Sequence, residues 1–197
     1  MSIMDADHPS AGLGAAVRRR RLALDLTLDG LATRSGVSRA MLSDVERGAK
    51  SPTIRVACQI AGGLGCSVSD LLGGPPAEHG EDAVSVVRER DRQVLVDPVS
   101  GVERHVLSPS SRRRGIEVVW YVVPPGKETG EFPPHQLGTR EHITVVRGRL
   151  EGRIGDGEVR LTVGDSAAFP ADIPHGFRNR GTEPCEFLLV IDAGPRC

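Results

Sequence analysis

Two stretches of the chain hold side chains able to do chemistry. Phe132 to Gly157, FPPHQLGTREHITVVRGRLEGRIGDG, sets His135, Glu141 and His142 among glycines. Imidazole nitrogen and carboxylate oxygen are donor types that hold Fe, Mn or Zn, so this stretch raises the question of a metal site. Glu141 and His142 are neighbours, and strand alternation puts them on opposite faces unless a bulge intervenes. Thr27 to Gly48, TLDGLATRSGVSRAMLSDVERG, is of a different kind. It follows a run of four arginines, Arg18 to Arg21, and carries Arg39, Arg47 and then Lys50, groups that pair with phosphate and read base edges.

The first third of the chain must hold the second stretch on helices. Leu13, Val17 and Leu24, then Leu28, Leu31 and Ala32, then Ile54, Ala57, Ile60, Ala61 and Leu64 recur at helical spacing. Thr27, Ser38, Thr53 and Ser67 stand where N-caps are needed, and Gly36, Gly48 and Gly65 where helices should stop. Five short helices are expected. GGPPAEHGED, Gly73 to Asp82, reads as a linker. Beyond it the period becomes two. AVSVVRER, RQVLVD, GVERHVLS, IEVVWYVV, EHITVVRG, LEGRIGD, EVRLTVGD, SAAFPAD, HGFRNRG and CEFLLVID are ten β-rich runs separated by Gly, Pro and Asp. They imply an antiparallel β-barrel or sandwich. The expected organisation is a tail over residues 1–11, a helical domain over 12–72, a linker over 73–83 and a β domain over 84–193.

The length of 197 residues fits one large domain or two small ones, and 39% hydrophobic with 26% charged residues is ordinary for a soluble globular protein. The four cysteines, Cys58, Cys66, Cys185 and Cys197, make no C-x-x-C pair, so neither a zinc knuckle nor a disulfide framework is indicated. No run has transmembrane length and no leader is evident, which points to the cytoplasm. The formal net charge of −1 conceals an asymmetry. Between Ser10 and Gly74 nine Lys and Arg oppose five acids, +4, so the rest of the chain carries −5. A basic end on an acidic body suits a polyanionic partner at that end only.

A helix from Thr27, a turn at Ser35-Gly36-Val37 and a second helix capped by Ser38 meet the demands of a helix-turn-helix, with Val37, Leu42 and Val45 packing inward. With GVSRAMLSDVERGAKSPT, this segment resembles the xenobiotic-response-element (lambda-repressor-like) helix-turn-helix family. The resemblance implies that Arg39, Ala40 and Asp44 face base edges. It puts Ser38, Ser43, Arg47, Lys50, Arg18 and Arg21 near phosphates, with Thr27 at the same surface. Arg39 is the candidate for reading a guanine, since a guanidinium bonds O6 and N7 together. Asp44 accepts from cytosine or bonds a neighbour such as Arg47. Arg20 stands where the family usually has a buried Leu, and Leu28 where a backbone-contacting Gln is common.

The β half resembles the cupin family, an antiparallel jelly-roll-like barrel, through two motifs. In G-x5-H-x-H-x3,4-E-x6-G, His135, Glu141 and Gly148 fall on their slots and Leu137 takes the second His slot. In G-x5-P-x-G-x2-H-x3-N, Gly164, Pro170, His175 and Asn179 match, while Asp172 replaces the inner Gly. The resemblance implies a pocket formed by His135, Leu137, Glu141, Ile143, Trp120, Phe169, His175 and Phe177. It leaves His135, Glu141 and His175 as the metal ligands. Two neutral imidazoles and a carboxylate make a three-ligand face with open positions, suited to Fe(II), Mn or Zn. The alternative is a metal-free pocket whose His and Glu bond an organic ligand or one another.

Together the halves resemble bacterial transcriptional regulators with a helix-turn-helix head and a C-terminal cupin. That implies a sequence-specific DNA-binding protein whose barrel senses a small-molecule effector. A homodimer on a palindromic double-stranded operator is expected, since one head reads a half-site. No catalytic residue is assigned on this reading. The rival is a mononuclear non-haem iron epoxidase, which the same two-part architecture also resembles.

Overall fold

The computed structural model describes residues 9–73, 84, 86–108 and 115–194. Five helices come first: α1 (Pro9–Ala23), α2 (Leu28–Ser35), α3 (Arg39–Glu46), α4 (Ile54–Gly63) and α5 (Val68–Leu72). The expected caps form. Thr27, Ser38, Thr53 and Ser67 each accept a backbone N–H two or three residues into their helices, and Ser67 with Asp70 completes a capping box. Gly36 ends α2 at φ 68°, a left-handed conformation that lets the chain turn into α3. Leu31, Val37, Leu42, Val45, Ile54 and Ile60 are buried together, while Leu24 stays 44% exposed, against its helical spacing. Gly14 marks where α1 meets the end of α3, because a Cβ there would lie 2.2 Å from the Val45 carbonyl oxygen.

Ten strands follow: β1 (Val94–Val96), β2 (Glu103–Val106), β3 (Ile116–Val123), β4 (Glu128–Phe132), β5 (Arg140–Arg147), β6 (Arg149–Ile154), β7 (Gly157–Thr162), β8 (Ser166–Pro170), β9 (His175–Arg178) and β10 (Cys185–Asp192). They form an antiparallel six-stranded sheet, β1-β2-β3-β10-β5-β8, facing a four-stranded sheet, β4-β9-β6-β7. Among the described residues no ladder joins the two, so the barrel is a jelly-roll-like pair of sheets rather than a closed cylinder. Tyr121, Phe132, Ile143, Phe169, Phe177, Phe187 and Leu189 fill the space between them. Gly148 needs its left-handed φ of 75°, and a Cβ there would stand 2.8 Å from the Pro184 carbonyl oxygen. Asn179 ties strand ends by donating to the Val123 and Glu183 carbonyls at 3.0 and 2.7 Å and accepting from Gly181.

Two expectations about strands fail. AVSVVRER forms no strand in its described part and ends in a short 3-10 turn at Glu89–Asp91. The strand it displaces from the tally is β4, ETGEF, whose two acids and glycine hide its alternation. Ser111 to Arg114 of the arginine loop, most of the linker and Cys197 lie outside the described residues. No described helix is long and apolar enough to cross a membrane.

The head docks on the barrel through buried polar bonds. Asp97, in the β1–β2 turn, accepts the Ile54 N–H at 3.1 Å through one carboxylate oxygen and the Val99 and Ser100 N–H groups through the other. A barrel residue thereby supplies an orphan donor in the first turn of α4 with its acceptor. Arg104 of β2, only 1% exposed, pairs with Glu117 of β3 at 2.7 Å, and Ser69 of α5 bonds both.

Candidate DNA-binding face and candidate barrel site

Helix α3 presents its N-terminal half to solvent. Arg39 and Ala40 are exposed, and among the described residues Arg39 pairs only with Asp29, at 3.4 Å. Asp44 bonds Lys50 and Arg47, each at 2.8 Å, and its carboxyl is held below the usual range, first by the Lys50 hydrogen bond. Of its two expected roles the structure therefore shows the neighbour-bonding one. Arg47 also bonds Ser43. Arg18 and Arg19 are exposed. Thr27 and Ser38 spend a hydroxyl lone pair on their caps, which leaves each hydroxyl proton free for a phosphate.

Arg21 requires a correction. It is 8% exposed, bonds both Glu46 carboxylate oxygens at 2.6 and 2.8 Å, and donates to the Leu26 carbonyl at 2.7 Å. Its guanidinium is occupied inside the head and is not offered to phosphate. Leu13, Val17 and Arg21 are spaced by four, so the helical period already carried the signal. Arg20, in the slot of a buried Leu, instead donates to the Leu64 and Gly65 carbonyls at the end of α4, both at 3.2 Å.

In the barrel, Glu141 of β5 and His175 of β9 point at one another from opposite sheets, each 1% exposed. His135 follows β4 in a loop fixed by its own N–H to the Ala171 carbonyl and by the Ala171 N–H to the Thr139 carbonyl, both 2.9 Å. Asp172 accepts the Gly138 N–H at 3.1 Å. The residue in place of the motif's glycine thus ties down the loop that carries His135.

His135 Nε2 is 3.1 Å from Glu141 Oε1, and His175 Nε2 is 3.4 Å from Glu141 Oε2. The second approach is long for a hydrogen bond and Oε2 is buried with no closer partner among the described residues, so the charged His175 ring, as a weak donor and as a nearby cation, is what favours charge on it. Burial pushes the Glu141 carboxyl up, but the His135 bond and both imidazoles outweigh it and hold it low. Burial opposes the charged His175 ring, and Glu141 reverses this to raise it. His175 Nδ1 lies 2.9 Å from the Ile173 carbonyl, an acceptor that keeps the proton on Nδ1. In the neutral ring the Nε2 lone pair then faces inward.

The ligand atoms of His135, Glu141 and His175 all lie within 4.8 Å of one another. A divalent metal fits this set: the orphaned Oε2 gains a partner, the donors are two imidazoles and a carboxylate, and the outer bond to Ile173 orients one ring. His142 is exposed on the opposite face, and no bulge moves it.

The other expected pocket residues divide. Phe169 and Phe177 pack around His175 with ring centroids at 5.6 and 6.2 Å. Ile143 is buried two residues beyond Glu141 on the same face. Leu137 lines the mouth of a cleft and is 94% exposed. Trp120 is misplaced: β3 turns it to the outer face opposite His105 and Leu188, because Tyr121 takes the inner position. Tyr121 and Phe132, both unanticipated, line that cleft instead. Arg104 was also missed, although Val102, Arg104 and Val106 share one buried face at period two.

Comparison with known proteins agrees with this division. A helix-turn-helix family model matches residues 17–71 and a cupin domain model residues 119–191. The chain is 28% identical over 187 residues to the HTH-type transcriptional regulator SutR of Escherichia coli, covering 91% of this chain and 93% of that one. A crystal structure of a helix-turn-helix family transcriptional regulator from Vibrio cholerae superposes with a TM-score of 0.77 at 27% identity, over 95% of this chain and 97% of that chain. The iron(II) form of HppE gives a TM-score of 0.51 at 22% identity, over 93% of this chain and all of that one, a likeness of fold alone.

Proposed function

We propose, for a chain that belongs to the helix-turn-helix regulators with a C-terminal cupin domain, that the head binds a double-stranded operator and the barrel binds a small-molecule effector that alters that binding. The observation that carries the reading is α3 itself. Leu42 and Val45 anchor it in the head while Arg39 and Ala40 stand exposed at its start, the geometry that enters a major groove. Two heads read the two halves of a palindrome, so the working species is a homodimer. An effector shifts operator affinity only by the difference in its own affinity for the two arrangements of the heads.

His135, Glu141 and His175 are the residues that would hold a divalent metal, Fe, Mn or Zn. Such a metal supplies open coordination positions to oxygen or nitrogen donors of an effector. The chain's own contribution is to orient the His175 ring through Ile173 and to pack Phe169 and Phe177 around that ring. The same triad is what a catalytic reading would draw on, and the two readings separate by experiment.

Fragments of the host genome selected by the protein give the operator. Gel shifts of wild type and Glu141→Ala follow, with and without host metabolite extract. The expected result is retained operator binding and a blunted response in Glu141→Ala. Absence of any operator shift by wild type at moderate salt, with iron- and oxygen-dependent consumption of a metabolite, overturns the regulator.

A further inference from the structure

We propose that the effector site is shared between the two domains, and that a carboxylate-bearing effector rests its anionic end on the DNA-binding head at Arg34 and Gln59. This deepens the regulator reading above and rests on it. A cleft of about 840 Å³ runs between head and barrel. Its barrel wall includes His135, Thr139, Glu141 and Tyr121, and its head wall includes Arg34 and Gln59. The volume suits an organic metabolite and far exceeds what a metal ion alone occupies.

Two features of the walls call for a ligand. Among the described residues three buried side-chain atoms lack a hydrogen-bond partner, and two of them, Glu141 Oε2 and Thr139 Oγ1, belong to this cleft. Both residues are 1% exposed, so neither atom is compensated by bulk water, and the barrel end of the cleft carries that desolvation cost. Across the cleft the charged groups are already engaged, with one exception. Arg104 holds Glu117, Glu141 holds His135, and Asp70 caps Ser67. Arg34 makes no ion pair or side-chain hydrogen bond among the described residues, and neither does the Gln59 amide, which reaches the Gly36 turn on the same wall. An unengaged guanidinium with an amide is a carboxylate's partner. Between the two ends, Phe132, Leu189 and Ile191 give the cleft apolar surface for a short carbon chain.

Arg34 sits in the last turn of α2, two residues before the Gly36 turn into α3. A ligand that bridges the walls therefore touches the element that positions the recognition helix. No relay through the barrel is needed: binding and the placement of the head are coupled because one wall of the site is the head.

The test uses the full chain and unbranched three- to six-carbon dicarboxylates, ω-amino acids and diamines as probes. Thermal unfolding and calorimetric titration are run in EDTA and again with Co(II). A carboxylate-bearing probe is expected to raise the Tm and bind while the diamines do neither. The EDTA and Co(II) arms show whether the far end meets Glu141 directly or a metal. Arg34→Glu is expected to weaken that probe about tenfold or more, as loss of a charge-assisted pair does. Its Tm without ligand and its Co(II) absorption should match wild type. Gln59→Ala should weaken the probe by a smaller factor. The shared site is overturned if no carboxylate-bearing probe binds, if diamines bind as well, or if Arg34→Glu binds like wild type. An operator response to host extract that survives intact in Arg34→Glu also overturns it and leaves the regulator standing. Failure of wild type to shift any operator strikes the regulator reading instead, whatever the probes do.

Discussion

In the head, the side chain of Arg39 is 66% exposed, whereas in the barrel the side chains of Glu141 and His175 are each 1% exposed. The head shows its charges to a partner larger than itself, over a core of Leu, Ile, Val and Ala. The barrel encloses its charges, and a ligand must enter to reach them. The difference follows from size. A duplex meets a convex surface through many weak, solvent-screened contacts, while a small molecule yields specificity only where a few groups are desolvated around it. Buried charge is consequently structural in one region and the proposed site in the other. Arg21 with Glu46 in the head, and Arg104 with Glu117 at the junction, brace elements; Glu141 with its histidines leaves an acceptor open.

The sharpest way to probe this contrast is Arg104→Ala, which strands Glu117 in the interior. It should cost about 3–5 kcal/mol in denaturant unfolding, and the paired Arg104→Met, Glu117→Leu change should recover most of that. A loss under 1 kcal/mol would mean that water reaches the junction. Next comes Arg21→Ala, expected to cost about 3 kcal/mol of stability for the same reason. At a temperature where the variant is still folded, its salt dependence of DNA binding should equal that of wild type. A reduced slope would return Arg21 to the phosphates. Arg39→Ala inverts the pattern: unfolding barely changes, while operator affinity falls by about 1–3 kcal/mol and specificity relaxes at one base pair. Equal losses on operator and random DNA would remove Arg39 from base reading. The smallest effect belongs to Arg18→Ala, which should weaken all duplexes alike and lower the salt slope by about 1. An unchanged slope would show that α1 stands clear of the backbone.

These four arginines also measure how far a sequence can be read. Arg18 and Arg21 belong to one run, RRRR, and composition treats them alike. The period separates them, since Arg21 continues the Leu13 and Val17 stripe, but only the arrival of Glu46 from α3 makes burial of its charge affordable. Likewise β2 places Arg104 on a buried face by alternation, yet its partners come from β3 and α5. Trp120 went to the wrong face because one strand's pattern, with bulky residues at every position of VVWYVV, does not say which side faces the second sheet.

The sequence by itself determined the helices and their caps, the turn at Gly36, the change of period beyond the linker, and the identity of His135, Glu141 and His175 as a set. These are local: a cap reaches three residues, a turn needs one glycine, and a motif's spacing is counted along the chain. The tertiary structure alone decided that Glu141 keeps one oxygen unpartnered and that Asp97 completes a helix of the other domain. It also decided that the cleft beside the triad has the head as its second wall. Each of these depends on groups far apart in sequence being brought within hydrogen-bond or contact distance, and what brings them there is the burial of one core that runs through both domains.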